Sequence, residues 1–482
     1  MINVLFVASE AVPFIKTGGL ADVVGSLPGF LDPARYDVRV MIPKYACMDD
    51  EFRKKLKFVS HCYVSLGWRS QYVGVLETVY DGIRYYLLDN EYYFAGDKPY
   101  NRIYEDIEKF AYFSKAVLGA LEKIDFKPDI IHCHDWQTGL VPVYLKCFSD
   151  RYADYSDVKT VFTIHNLKFQ GRWMINAVQD ITGLPDNMFT PERLESYGSA
   201  NYLKGGVVYS DIVTTVSPTY VKDIMTREGG EGLDGVFRAR SQSLYGIING
   251  LDYDEYDPAK DKHIPVRYDV TSFKEGKRAN KEKLQSELSL EPDLDTILLG
   301  MVSRLTDQKG FDLVNFIMEE LLSHARVQFV LLGTGEDRYE NSMRYFAGKY
   351  PGKISVNIGY SEDLAHRIYA SADAFLMPSL FEPCGLSQLM SMRYGTLPIV
   401  RETGGLKDTV EAFNEFENTG TGFSFSNFTA HELIKTIYYS FHIYYDMRDR
   451  WNDMISRAMK MDFSWKKSAG QYEKLYESLV QK

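Results

Sequence analysis

Residues 16–24 read KTGGLADVV and residues 402–410 read ETGGLKDTV, the same Thr-Gly-Gly-Leu turn behind a cation once and an acid once. Paired glycines let a backbone approach a ligand closely, and a following helix offers free N–H groups at its positive end. With Lys16 in front, Gly18 and Gly19 read as a turn that grips phosphate or sugar. A strand-to-helix turn with a solvated lysine is the plainer alternative. The Glu402 copy would repel phosphate, so it is expected to be a helix start with Asp408 facing solvent.

SRLTDQKG (303–310) carries Arg304 and Lys309 five residues apart across a turn. Guanidinium plus ammonium suits a diphosphate that gains charge as it leaves, unless both are solvated loop residues. In SLFEPCGLSQLMSMRYG (379–395), Glu382 precedes a proline, and Cys384-Gly385-Leu386 is expected to open a helix. That carboxylate is either a helix cap or the negative charge that balances an oxocarbenium-like sugar. IHCHDWQTG (131–139) and TIHNLKFQG (163–171) each end a strand. His132-x-His134-Asp135 invites a metal reading, but no third ligand is in sight, so hydrogen-bonded strand-end residues are expected. Asp252-x-Asp254 resembles a metal–nucleotide pair but is common in turns. GTGEDR (333–338) starts like a dinucleotide fingerprint, then places acids where a pyrophosphate would sit.

The elements that must position these groups alternate between short β-rich runs and longer amphipathic segments, the pattern of parallel sheets flanked by helices. The first half predicts strands at 4–9, 38–43, 129–134, 160–165 and 211–217, and a hairpin over 73–90 on an Asp81-Gly82 turn, a local antiparallel insertion. After a break at YGIINGLDYDEYDP (245–258), the second half predicts strands at 296–305, 327–335, 354–360, 374–379 and 397–402, and a last helix. The predicted fold is α/β, two Rossmann-like doubly wound domains, residues 1–244 and 245–465, facing a cleft. In such sheets ligands bind beyond the C-terminal strand ends.

Composition narrows the function. A chain of 482 residues with a net charge of −11 lacks the basic footprint of a general nucleic-acid or anionic-membrane binder. Five scattered cysteines without a C-x-x-C pair argue against a disulfide framework or a thiolate zinc site. No apolar run reaches membrane-spanning length and no export signal is evident, so a cytoplasmic protein is expected.

Taken together and in order, KTGGLADVVGSLP, HCHDWQTGLVP, TIHN, YGIINGLD, VSRLTDQKG, FEPCGL and RYGTLPIVRETGGL resemble the bacterial glycogen synthase and plant starch synthase family over nearly the whole chain. The resemblance implies a GT-B glycosyltransferase that moves glucose from ADP-glucose to the non-reducing end of an α-1,4-glucan with retention, without metal or cofactor. It further implies that residues 466–482 form a helix returning to the first domain. By position, Lys16, Gly18 and Gly19 would contact donor phosphate and glucose. Arg304 and Lys309 would hold the diphosphate, and Glu382 with Cys384, Gly385 and Leu386 the glucosyl unit. His165 and Asp135 would lie near the reacting centre, Tyr360 would stack on adenine, and Asn249 and Asp252 would lie nearby. Two departures stand out: Met390 occupies a position where many related transferases carry a second Glu, and PARYDVRV replaces a usual Gly-His. Retention leaves front-side attack or a covalent intermediate on Asp135 or Glu382, of which front-side attack is preferred. The alternatives are a GT-B transferase using UDP-glucose, a phosphorylase, or a glucan-binding protein without activity.

Overall fold

The computed structural model describes residues 1–480 and divides into two compact units, Met1–Gly250 with Trp465–Lys482, and Leu251–Ser464. Residues 481 and 482 of the expected last helix lie outside the described residues.

The first unit is built on a nine-stranded sheet. Its strands are β1 (Ile2–Val7), β2 (Tyr36–Pro43), β3 (Lys57–Leu66), β4 (Arg69–Tyr80), β5 (Ile83–Asp89), β6 (Ile130–His134), β7 (Lys159–Ile164), then, after a small separate sheet of β8 (Arg172–Met174), β9 (Glu195–Ser196) and β10 (Ser199–Asn201), β11 (Ile212–Thr215) and β12 (Leu244–Gly246). The order is β12-β11-β7-β6-β1-β2-β5-β4-β3, parallel from β12 to β5 and antiparallel thereafter. Strands buried on both faces, such as LFV in β1 and IIHCH in β6, carry the continuous apolar runs that a covered parallel sheet requires.

The 73–90 hairpin turns at Asp81 and Gly82, both at positive φ, as a tight Asp-Gly turn needs. It is not a separate insertion. β5 pairs in parallel with β2, which makes the hairpin an extension of the main sheet, and β3, unforeseen in the sequence, forms its edge.

The domain border also differs from the expectation. Leu244–Gly246 pairs with β11, so the first unit runs on to Gly250 and includes Asn249. Trp465 belongs with the first unit rather than the second: it is buried in that unit's core, directly over Gly250. The helix Trp465–Val480 packs there through Ala469, Tyr472 and Tyr476, and Ser468 Oγ donates to Ile248 O at 2.7 Å.

The second unit holds a six-stranded parallel sheet of β13 (Ile297–Val302), β14 (Val327–Gly333), β15 (Ile354–Ile358), β16 (Ala374–Met377), β17 (Leu397–Arg401) and β18 (Phe423–Phe425). Its order, β15-β14-β13-β16-β17-β18, is the 3-2-1-4-5-6 winding of a Rossmann sheet. β18 is too short to leave a periodic signal in the sequence.

Candidate active site

In a doubly wound sheet the loops diverge where strand order reverses, and a crevice opens there. In the first unit that point lies between β1 and β6. The KTGGL turn follows the first of these strands and HDW the second.

The turn is tied down from inside by Glu10, which is buried beside it. Its carboxylate accepts the Thr17 N–H, the Thr17 hydroxyl at 2.9 Å and the Tyr100 hydroxyl at 3.0 Å. Burial raises the Glu10 pKa, and the bonds from Thr17 and Tyr100 pull it partly back. Gly18 is extended, with open space where a side chain would start, and it is the N-cap of the helix Gly19–Phe30, accepting the Ala21 N–H through its carbonyl at 3.2 Å. Lys16 Nζ lies 2.7 Å from Asp22 Oδ1 on the first turn of that helix. An exposed pair of this kind is worth ~0–1 kcal/mol, so exchanging the carboxylate for a phosphate costs little.

His132 and His134 share one face of β6, their rings stacked 4.2 Å apart. His132 Nδ1 meets the Tyr476 hydroxyl at 2.7 Å and its Nε2 the Thr163 hydroxyl at 2.6 Å, so both nitrogens are engaged by hydroxyls and not presented as metal ligands. His134 Nδ1 lies 3.0 Å from His165 Nε2. Burial pushes the pKa of His132 and His134 well down and that of His165 to about 3, which keeps all three imidazoles neutral. Asp135 sits at φ 57°, ψ 178°, a conformation that non-glycine residues rarely adopt and that concentrates at functional sites. Its carboxylate accepts the His165 N–H at 2.7 Å. Burial pushes the Asp135 pKa up to about 7 against the N–H groups of His165 and Asn166. Adjacent parallel strands therefore bring Asp135 and His165 together. Asn249 is buried in the same unit, its Oδ1 without a hydrogen-bond partner.

The second unit reverses its order between β13 and β16. Arg304 stands exposed on the loop after β13. Lys309 follows on a short turn, and its Nζ lies 2.6 Å from Glu382 Oε2, on the loop after β16. Ser379 Oγ donates to the same oxygen at 3.0 Å. Gly310 holds the approach open: at φ 77° it would place a Cβ 2.1 Å from Pro378 O.

The second Thr-Gly-Gly-Leu turn lies directly behind Glu382. Asp408 is exposed on the helix Gly404–Thr409. The glycines do more than start that helix. Gly405 N donates to Glu382 O at 3.1 Å, and a Cβ on Gly404 or Gly405 would stand 2.0 Å from Glu382 O or 2.1 Å from Cys384 O. Glu402 turns away and accepts the Ser424 hydroxyl at 2.8 Å. One turn thus exposes a cation, while its twin supports a carboxylate loop.

Cys384, Gly385 and Leu386 do not open the helix. It begins at Ser387, with Gly385 at φ 73°, and Gln388 Nε2 reaches back to Cys384 O at 3.1 Å and Gly385 O at 2.9 Å. Tyr360 is 81% exposed between β15 and the helix Glu362–Ser371. Asp254 N donates to Asp252 Oδ1 at 2.8 Å, an ordinary turn. In GTGEDR, Glu340 takes the Gly335 N–H at 3.0 Å and the Thr334 hydroxyl at 2.8 Å, so an internal carboxylate fills the place of a phosphate. Glu10, Ser379, Gly404 and Gly405 were missed in the sequence. The repeated TGGL was the one signal that pointed to the last two.

Two Rossmann-like domains, one with a cation–carboxylate pair at its switch point, define a glycosyltransferase of the GT-B class. The chain matches the family described as starch synthase catalytic domain over residues 3–239 and the family described as glycosyl transferases group 1 over residues 283–456. It is 59% identical to glycogen synthase of Lachnospira eligens over 99% of this chain and 100% of that one, and 49% identical to glycogen synthase of Geobacillus stearothermophilus over 100% and 98%. Among solved structures, the catalytic domain of starch synthase IV from Arabidopsis thaliana, bound to ADP and acarbose, superposes with a TM-score of 0.90 at 32% identity over the full length of both chains. The chain belongs to the glycogen synthase and starch synthase family.

Proposed function

We propose that the protein transfers glucose from ADP-glucose to the non-reducing 4-hydroxyl of an α-1,4-glucan with retention of configuration. The observation that carries this reading is the Lys309–Glu382 pair, 2.6 Å long, at the switch point of the second Rossmann sheet. A cation beside a buried carboxylate is the charge pattern needed when a sugar becomes positive as its diphosphate leaves. Relatives named glycogen synthase and a starch synthase solved with ADP and acarbose support donor and acceptor alike.

In this reading the second unit binds the nucleotide sugar and the first contributes acceptor and catalytic groups. Arg304 and Lys309 neutralise the departing diphosphate, while Glu382 and the Cys384–Leu386 backbone hold the glucosyl unit and Tyr360 stacks on adenine. Lys16, Gly18 and Gly19 contact donor phosphate and glucose. Neutral His165, its ring held by His134 and its backbone N–H by Asp135, meets the sugar, and Asn249 lines the same region. The bond from C1 to the phosphate oxygen breaks as the acceptor O4 attacks C1 on the same face. The acceptor proton passes to the leaving phosphate. Glu382 is held by Lys309 and Ser379, and Asp135 by the His165 N–H, which favours front-side attack over a glycosyl ester on either carboxylate.

Among the described residues no helix is long and apolar enough to cross a membrane. No disulfide joins the five cysteines, all of which lie among the described residues, and we place the reaction in the cytoplasm. Nucleotide release from ADP-glucose and from UDP-glucose, each with and without a maltooligosaccharide, tests the proposal. ADP release with chain extension, dependent on primer, is expected. Primer-independent release, or a preference for UDP-glucose, would overturn it.

A further inference from the structure

Away from these residues, the segment that opens the second unit meets the helix Glu362–Ser371 around His366. His366 is 1% exposed. Its Nδ1 lies 2.8 Å from Asp261 Oδ2, and the same carboxylate accepts the Tyr394 hydroxyl at 2.5 Å and the His263 N–H at 2.7 Å. A carboxylate so placed fixes the proton on Nδ1 and leaves the lone pair on Nε2. That Nε2 is buried and has no hydrogen-bond partner. Tyr256 stacks on the ring at 4.7 Å and His263 packs against it at 4.7 Å, so the imidazole is clamped in one orientation.

A buried acceptor without a partner costs ~1–3 kcal/mol and calls for an explanation. Two glutamates supply one. Glu362 lies one helical turn before His366 on the same face, and Glu255 comes from the opening segment. One oxygen from each and a ring nitrogen of His366 lie within 4.8 Å of one another. Both glutamates are exposed, so an ion can reach their carboxylates from solvent. Metal bonds to imidazole nitrogen and carboxylate oxygen are ~2.0–2.2 Å long, so modest rotation of the two glutamates closes the set around one ion. The Asp261–His366 bond is the arrangement that orients metal-ligating histidines.

We propose that Glu255, Glu362 and His366 bind a divalent transition-metal ion, with Asp261 orienting the imidazole and water completing the coordination. One neutral imidazole and two carboxylates balance the charge of such an ion, and imidazole favours zinc, cobalt or nickel over magnesium. The ion takes no part in glucosyl transfer. It ties the start of the helix Glu362–Ser371, two residues after Tyr360, to the segment that opens the second unit.

The full-length chain, stripped with a chelator and dialysed, is titrated with zinc sulfate by calorimetry and with cobalt chloride by visible absorption. One zinc ion per chain is expected, along with cobalt absorption bands of a nitrogen- and oxygen-ligated site. Glu255→Gln and Glu362→Gln are surface changes that leave the fold intact, and each should weaken zinc binding at least tenfold. Absence of stoichiometric zinc binding, or binding unchanged in the Glu255→Gln/Glu362→Gln double variant, would overturn the proposal.

Discussion

Lys309 and Glu382, 73 residues apart in the chain, form a 2.6 Å ion pair with side chains only 18% and 8% exposed. Removing one partner strands the other. Lys309→Ala is expected to lower turnover ~10²–10³-fold, the scale of losing one group that stabilises developing charge. It should also destabilise the second unit by up to ~3–5 kcal/mol, because a buried charge is left alone. Adding Glu382→Gln should restore much of the stability and none of the turnover. Arg304→Ala, at an exposed position, should lower turnover without moving Tm. Normal rates on ADP-glucose in both single variants would refute the phosphate assignment.

The two TGGL turns predict opposite phenotypes for the same change. Gly404→Ala puts a Cβ against Glu382 O at φ 44° and should cost ~1–3 kcal/mol, with lost activity. Gly18 is extended with open space around it, so Gly18→Ala should cost ~1 kcal/mol or less. A raised KM for ADP-glucose in Gly18→Ala at near-wild-type Tm would locate the donor at that turn; an unchanged KM removes it.

Asp135, pushed up to about 7 by burial, should produce an acid limb near pH 7 in the kcat/KM profile. Asp135→Asn can still accept the His165 N–H. It should therefore keep the fold and residual activity while losing that limb. A profile with the limb intact in this variant would assign the ionisation elsewhere.

His165 gives a stability test of definite sign. Its pKa falls from the ordinary value to about 3 through burial. Above pH 6.5 both folded and unfolded chains hold it neutral, so it contributes no slope. Below that value the unfolded chain takes a proton that the folded one refuses, and stability falls until about pH 3. Asp135, with a raised pKa, acts in the opposite sense over the range up to about 7, so the difference between proteins is the clean measure. Relative to His165→Asn, the wild type should lose ~1.4 kcal/mol per pH unit between pH 6 and 4 by chemical denaturation. Parallel curves would mean that His165 protonates freely in the folded state.

Much of the winding was legible because buried parallel strands advertise themselves. VLFV, DIIHCH and TILLGMV are runs of β-branched and aliphatic residues bounded by turn signals, and they became β1, β6 and β13. β3 was not legible, because an edge strand exposed on one side, KFVSHCYVSL, mixes polar and aromatic residues without a clean run. The border near residue 245 was misplaced by six residues. An Asn-Gly turn announces a turn but not which sheet owns the strand before it.

For the site, the sequence by itself determined which groups exist and near which strand ends they stand. Lys16, Asp135, His165, Lys309 and Glu382 all follow β-runs, and a doubly wound sheet gathers such positions at its reversal point. Pairing was decided only by the tertiary structure: Lys309 with Glu382, Glu10 with Thr17, Asp135 with the His165 N–H, and Gly404 against the Glu382 carbonyl. Three of these contacts depend on strand adjacency or on loops 22 to 73 residues apart meeting closely, and the fourth, Glu10 with Thr17, on how one loop folds back on itself. Local residue preferences carry no record of either quantity, because both arise from packing whole elements against one another.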